Sequence, residues 1–118
     1  MNYLANAFSL KMLEKDASRT TIDVFPVTIK EVKELLTTPF ISIIGHEGTA
    51  QLFTELLGVY VEVNRVSYEM KNGDTLVVGL PSGGRLPEGK VLSKEELEAL
   101  QLDWFIVKLV ENKKEEWK

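Results

Sequence analysis

The 118-residue sequence contains no cysteine and a single histidine, His46. The first absence excludes disulfides, thiolate metal sites and cysteine nucleophiles, and fits a chain that works in a reducing compartment. The second leaves one side chain whose ordinary titration falls near neutral pH, so proton transfer by this protein has few places to happen. An excess of basic charge is also missing. Fourteen Lys and Arg against eighteen Asp and Glu give a formal net charge of −4. That balance argues against a protein that coats long nucleic acid by its phosphates, while leaving room for a small anionic ligand in a local pocket. No apolar run approaches the roughly 20 residues needed to span a bilayer, and the start Met1-Asn2-Tyr3-Leu4 lacks the basic end and apolar core of a signal peptide. A cytoplasmic protein with no membrane partner is expected.

Other absences concern chemistry. There is no GxGxxG fingerprint, no GxxxxGK[ST] phosphate loop, no HExxH and no pair of histidines. Asp16, Asp23, Asp74 and Asp103 fall in separate elements, so metal-free and cofactor-free chemistry is expected. Arginine is scarce as well: Arg19, Arg65 and Arg85 are the whole set. Two of these stand in loop-like contexts, Arg65 after Asn64 and Arg85 after Gly83-Gly84, where a planar guanidinium suits phosphate oxygens.

What is present reads as one α/β domain over 1–118, a mixed and mostly parallel five-stranded sheet packed with helices plus a β-hairpin. Tyr3 to Ala7 is a first strand, followed by a turn at Ser9 and a brief helix with Leu10 and Leu13 on one face. Thr20 to Phe25 is a second strand. Thr28 and Glu31 form a capping box that opens a helix with Ile29, Val32, Leu35 and Leu36 on its apolar stripe. Pro39 ends that region, Phe40 to Ile44 is a β-branched run suited to burial on both faces, and Ala50, Phe53, Leu56 and Leu57 mark a helix beginning near Thr49. Val66 to Met70 and Thr75 to Leu80 flank Asn72-Gly73, a strong signal for a tight hairpin. Ser93 and Glu96 repeat the capping box, Trp104 to Val110 is the last strand, and 111–118 is a charged, mobile tail.

Three turns carry polar residues with competing uses. His46 follows Gly45 where a strand gives way to a helix, a place where open α/β sheets put ligands and a helix offers free N–H groups to an anion. It could equally be a helix-start residue bonded to the backbone. Asn6 and Ser9 occupy the corresponding turn of the first unit and either meet a ligand or cap a helix. Thr49 has the same two readings. Arg85 and Glu88, set among glycines, could close over a ligand or lie on a flexible surface turn.

Asn6-Ala7-Phe8-Ser9, Ile44-Gly45-His46 with Thr49, Asn64-Arg65-Val66, Gly73-Asp74 and the run Arg85 to Ser93 occur in one order and spacing. In that combination, from about residue 3 to 96, the chain resembles the viral and mobile-element anti-CRISPR ring nucleases of type III immunity. The resemblance implies a homodimer that binds cyclic tetra-adenylate and cuts it to linear di-adenylate. It implies His46 as the catalytic residue, with Asn6, Ser9, Gly45, Thr49 and Arg65 at the ligand. Arg85 and Glu88 would hold the ring or close over it, on the half cut by their own subunit or on the half cut by the partner subunit. The chemistry is consistent, because a ribose 2′-hydroxyl attacks its own adjacent phosphorus and the substrate thus brings its nucleophile. Two alternatives stay open: a sponge that binds a cyclic nucleotide without cutting it, and a small regulator that binds nucleic acid or protein.

Overall fold

The computed structural model describes residues 1–81 and 102–113. Five strands form one sheet: β1 (Asn2–Ala5), β2 (Arg19–Val27), β3 (Phe40–Ser42), β4 (Thr75–Pro81) and β5 (Leu102–Lys113), in the spatial order β2-β5-β4-β1-β3. β1 runs parallel to β3 and to β4, whereas β5 is antiparallel to β4 and β2. The α/β reading with a mixed five-stranded sheet therefore stands, but the sheet is not mostly parallel: two of its four pairings are antiparallel, because β5 runs back between β4 and β2. β1 lies inside the edge strand β3, with β3 on one side and β4 on the other, so successive units are laid down in opposite directions from it. That is the switch point beside which α/β sheets open a crevice at their carboxyl ends.

The two α-helices among the described residues, α1 (Ile29–Leu35) and α2 (Glu47–Leu57), pack through the core of one sheet face. α1 starts as its sequence signals: Thr28 Oγ1 accepts the N–H of Glu31 at 3.2 Å, and the Glu31 carboxylate accepts the N–H of Thr28 at 3.2 Å. Val32 and Leu36 are buried and Leu35 packs against them, while Ile29 is left exposed at the start of the stripe. α2 begins at Glu47, two residues before Thr49, and buries Ala50, Leu52, Phe53 and Leu57. It ends at Gly58, whose φ of 71° is the left-handed conformation that glycine adopts without cost at a helix end. A second cluster around Ala5, Met70, Leu76, Val78 and Val107 fills the opposite face of the sheet.

Three further expectations from sequence need correction. Val66–Met70 is not a strand, and Asn72-Gly73 does not join a tight hairpin. Both edges of β4 are already taken, by β1 and β5, so no ladder is left for a strand from 66–70. Met70 instead inserts into the second core, its N–H donating to the Met12 carbonyl at 2.7 Å, and Gly73 turns the chain with φ 88°. The segment after Ser9 is a single 3₁₀ turn, Leu10–Met12, in place of an amphipathic helix. Leu13 takes an extended conformation and packs inward, leaving Leu10 exposed. Finally, Glu111 to Lys113 belong to β5, paired with Arg19 to Thr21 and pinned by Thr20 Oγ1 donating to Asn112 Oδ1 at 2.8 Å. Residues 114–118 and the second capping box, Ser93 with Glu96, lie outside the described residues.

The segment before β4 is held by Asp74. Its buried carboxylate accepts the Tyr68 hydroxyl at 2.9 Å and the Lys71 N–H at 3.0 Å, and the terminal ammonium of Met1 stands 3.9 Å away. The Tyr68 ring also packs on Tyr3, centroids 4.4 Å apart. Burial, then the hydrogen bond to Asp74 and its negative charge, push the Tyr68 phenol well above its ordinary range. A group whose folded-state value is raised stabilises the fold fully below its unfolded value near 10 and loses that contribution as pH rises toward the folded one. Denaturant titrations of the native protein should thus show stability falling above about pH 10 more steeply than in Tyr68→Phe. Equal slopes for the two proteins would contradict this role of the phenol.

Candidate functional site

The carboxyl ends of β1 and β3 meet beside the start of α2. The register pairs Leu4 with Ser42, and the Ile43 N–H donates to the Leu4 carbonyl at 2.9 Å, which brings Asn6 to the same end of the sheet as Ile44-Gly45. β3 ends early, at Ser42, because Ser42 Oγ accepts the Ile44 N–H at 3.2 Å and turns the chain out of the ladder. The next turn delivers Gly45 and His46 to the sheet edge.

His46 is the N-cap residue of α2, with φ −118° and ψ 129°. Its carbonyl accepts the Ala50 N–H at 3.0 Å, but its imidazole makes no capping hydrogen bond and is exposed. His46 is thus a helix-start residue, as the structural alternative expects, but its ring is neither buried nor engaged in a capping bond. The first-turn N–H groups of α2 have no intrahelical carbonyl to bond and face the same region, a partial positive charge suited to an anion.

Gly45 is not held by its backbone conformation, since its φ is not positive; what its missing side chain leaves is room for a neighbour. A Cβ on Gly45 would stand 3.1 Å from Cγ, 3.4 Å from Cβ and 3.6 Å from Cδ of Arg65. The stem of Arg65 thus lies against the residue before His46, and Arg65 as a whole is exposed. The sequence placed these residues some 20 positions apart; the fold superimposes them. Gly45→Ala would push the arginine stem aside by a few tenths of an ångström while leaving the backbone unstrained. It is expected to change stability by less than about 1 kcal/mol and to weaken an anion bound at this turn several-fold, read by a thermal melt beside a binding titration.

Thr49 occupies the third position of α2, half-buried, and Asn6 is half-buried just after β1, its side chain making no hydrogen bond to the described residues. Ser9 is different. Its Oγ accepts the Lys11 N–H at 3.2 Å as the cap of the 3₁₀ turn, the use expected from local pattern, and that turn leads into Met12 and Leu13 on the other sheet face. The structure thus brings Gly45, His46, Thr49 and Arg65 together with Asn6 at the neighbouring strand end, and gives Ser9 a capping role. Arg85 and Glu88 lie outside the described residues. Glu47, beside the histidine, is exposed in the first turn of α2.

Sequence reasoning missed Ser42 and left Asn64 without a role. Asn64 donates its N–H to the Ile44 carbonyl at 2.8 Å and its side-chain Nδ2 to the Ser42 carbonyl at 2.7 Å. The available signal was the lone hydroxyl in the run Ile41-Ser42-Ile43-Ile44, since a serine buried to 2 % exposure must be bonded to something.

Two clefts open nearby. One of about 600 Å³ runs along α2 past Glu47, Gln51, Thr54, Tyr60 and Glu62, and one of about 440 Å³ lies between β3 and Tyr60 and Glu62. Carboxylates line both, Glu47 and Glu62 the first and Glu62 the second, which disfavours a polyanion deep in either. Among the described residues there is no group of three or more His, Asp or Glu side chains that could hold a metal ion, and no helix is long and apolar enough to cross a membrane.

The comparisons with known proteins agree with this layout at the level of the fold. Residues 2–104 match the model of a family described as STIV B116-like. The chain belongs to the STIV B116-like family. It is 35 % identical over 112 residues to protein 26 of Sulfolobus islandicus filamentous virus, covering 93 % of this chain and 92 % of that one. It is 32 % identical to ORF117 of Acidianus two-tailed virus, covering 92 % and 93 % of the two chains. The solved structure of B116 of Sulfolobus turreted icosahedral virus superposes with a TM-score of 0.76 at 31 % identity, over 91 % of this chain and 97 % of that one. These B116-like relatives are proteins of archaeal viruses and share the whole domain.

Proposed function

We propose that this B116-like protein is a metal-independent ring nuclease: it binds cyclic tetra-adenylate, the messenger of type III CRISPR immunity, and cleaves it to linear di-adenylate. The observation that supports this most is the position of the sole histidine, exposed and uncommitted at a helix start, with an arginine stem laid against the preceding glycine. A phosphodiester whose own 2′-hydroxyl is the nucleophile needs positioning, charge stabilisation and a proton for the leaving oxygen, and little else.

In the proposed step the ribose 2′-oxygen attacks the adjacent phosphorus and its proton passes to solvent. The bond from phosphorus to the 5′-oxygen breaks, and protonated His46 gives that oxygen its proton. One cut leaves a 2′,3′-cyclic phosphate and a 5′-hydroxyl without consuming water; two cuts release two di-adenylates. The first-turn N–H groups of α2 stabilise the phosphoryl oxygens, Arg65 grips the phosphate in ground and transition states alike, and Asn6 and Thr49 are polar contacts. A cyclic tetranucleotide with two-fold symmetry suits a homodimer, in which Arg65 and Arg85 of each chain would supply four guanidinium groups for four phosphates. The overall acidity of the chain does not oppose this, because the charges that matter are local. Acting on a messenger of the host cell, the protein would work in the cytoplasm.

Calorimetric titration of cyclic tetra-adenylate in excess chelator, followed by chromatography of the same mixture, tests the reading. One ring bound per two chains, then conversion to shorter product, is the expected result. Binding without conversion would support a sponge and overturn the enzymatic half; no binding would overturn both.

A further inference from the structure

Among the described residues, the stretch between the buried Val61 and the half-buried Tyr68 has few attachments. Glu62, Val63, Arg65, Val66 and Ser67 are all exposed, and Asn64 alone is partly buried. Asn64 grips two carbonyls that lie two residues apart on β3 and its continuation, Ser42 through Nδ2 and Ile44 through the main-chain N–H. This two-point attachment takes the place of a paired strand at the sheet edge. The residue that follows it is Arg65, a long side chain that would otherwise sample many rotamers from a loosely held backbone.

We propose that Asn64 is a positioning residue: it fixes Arg65 against the Gly45-His46 turn and acts on a bound ligand only through that arginine. The structural half of this is independent of any substrate, and its effect on ligand handling rests on the cyclic-nucleotide reading above. Ser42 completes the device, since its hydroxyl bends the chain and its carbonyl receives Asn64. An alanine at 64 removes one tether, and an aspartate keeps the shape while turning a donor into an acceptor facing the Ser42 carbonyl.

The single histidine supplies a clean probe, because its imidazole gives one ring Hε1 signal in a proton NMR spectrum. Without nucleotide, Arg65→Ala should shift that signal, Asn64→Ala and Asn64→Asp should shift it in the same direction, and Asn64→Ala with Arg65→Ala should match Arg65→Ala alone. With cyclic tetra-adenylate, Asn64→Ala should raise KM about tenfold with kcat held within about threefold, as expected for loss of binding shared by ground and transition states, and should add nothing in the Arg65→Ala background. An unchanged histidine signal in both Asn64 variants, or an Asn64 effect that adds in full to that of Arg65→Ala, would overturn the proposal. If the native protein neither bound nor cut the ring, the functional reading would fall, and the histidine signal alone would still decide whether Asn64 positions Arg65.

Discussion

His46→Ala is expected to lower turnover of cyclic tetra-adenylate by about 10²–10⁴-fold, the range that a positioned general acid contributes, while the dissociation constant stays within a few-fold of the native value. The reasoning is structural as well as chemical. The imidazole is exposed and makes no capping bond, so its removal leaves no buried group unsatisfied and opens no core cavity. The carbonyl of residue 46, which accepts the Ala50 N–H, is retained by alanine, so α2 keeps its first hydrogen bond. Binding rests on other groups, namely Arg65, the α2 N–H groups and the neighbouring polar side chains. A single-turnover assay with saturating enzyme separates the two effects. Loss of binding in step with loss of turnover would assign His46 to the grip on the ring and away from proton transfer.

The largest effect on stability is expected at Gly79, in the middle of β4. A Cβ there would stand 2.5 Å and 2.8 Å from Cζ3 and Cη2 of Trp104 and 3.0 Å from Cζ of Phe53. Both rings are buried, Trp104 at 4 % and Phe53 at 0 % exposure, and they pack on each other with centroids 5.2 Å apart. Neither can swing aside into solvent. The conformation of Gly79 is not left-handed, so its role is to leave room for an indole against the strand. Gly79→Ala should destabilise the protein by about 1–3 kcal/mol through overpacking, lowering the melting temperature by roughly 5–15 °C. If the clash is the cause, Trp104→Leu should cost less in the Gly79→Ala background than in the native one, a coupling that a double-mutant cycle reads directly. A Gly79→Ala protein that melts within a degree of the native one would show that the sheet and helix layers separate more easily than their packing implies.

The sheet and helices were largely legible because their signals are local. The box at Thr28 and Glu31, the stripe on α1, the apolar spacing of α2 and the β-branched run into Ser42 each report a periodicity or a cap that tertiary packing then used. The hairpin at Asn72-Gly73 was misread because turn chemistry says that the chain reverses, not which strands have an open edge. β5, arriving from far along the chain, takes the edge of β4 that 66–70 would have needed. In the same way His46 could be singled out by scarcity, but the contact of Arg65 with Gly45 joins residues on separate elements and has no local signature. Asn64 was invisible for that reason too, and the lone hydroxyl of Ser42 signalled only that it needs a partner, as both roles exist only once β3 has an edge and the 62–67 stretch crosses it.

The most direct test of the central claim is the identity of the product. The native protein, stripped of metal and held in excess chelator, is incubated with cyclic tetra-adenylate and the products are resolved by mass spectrometry. The account predicts linear di-adenylate with a 2′,3′-cyclic phosphate and a 5′-hydroxyl, formed without incorporation of oxygen from labelled water. An intact ring after prolonged incubation, or ends that carry oxygen from solvent, would contradict it.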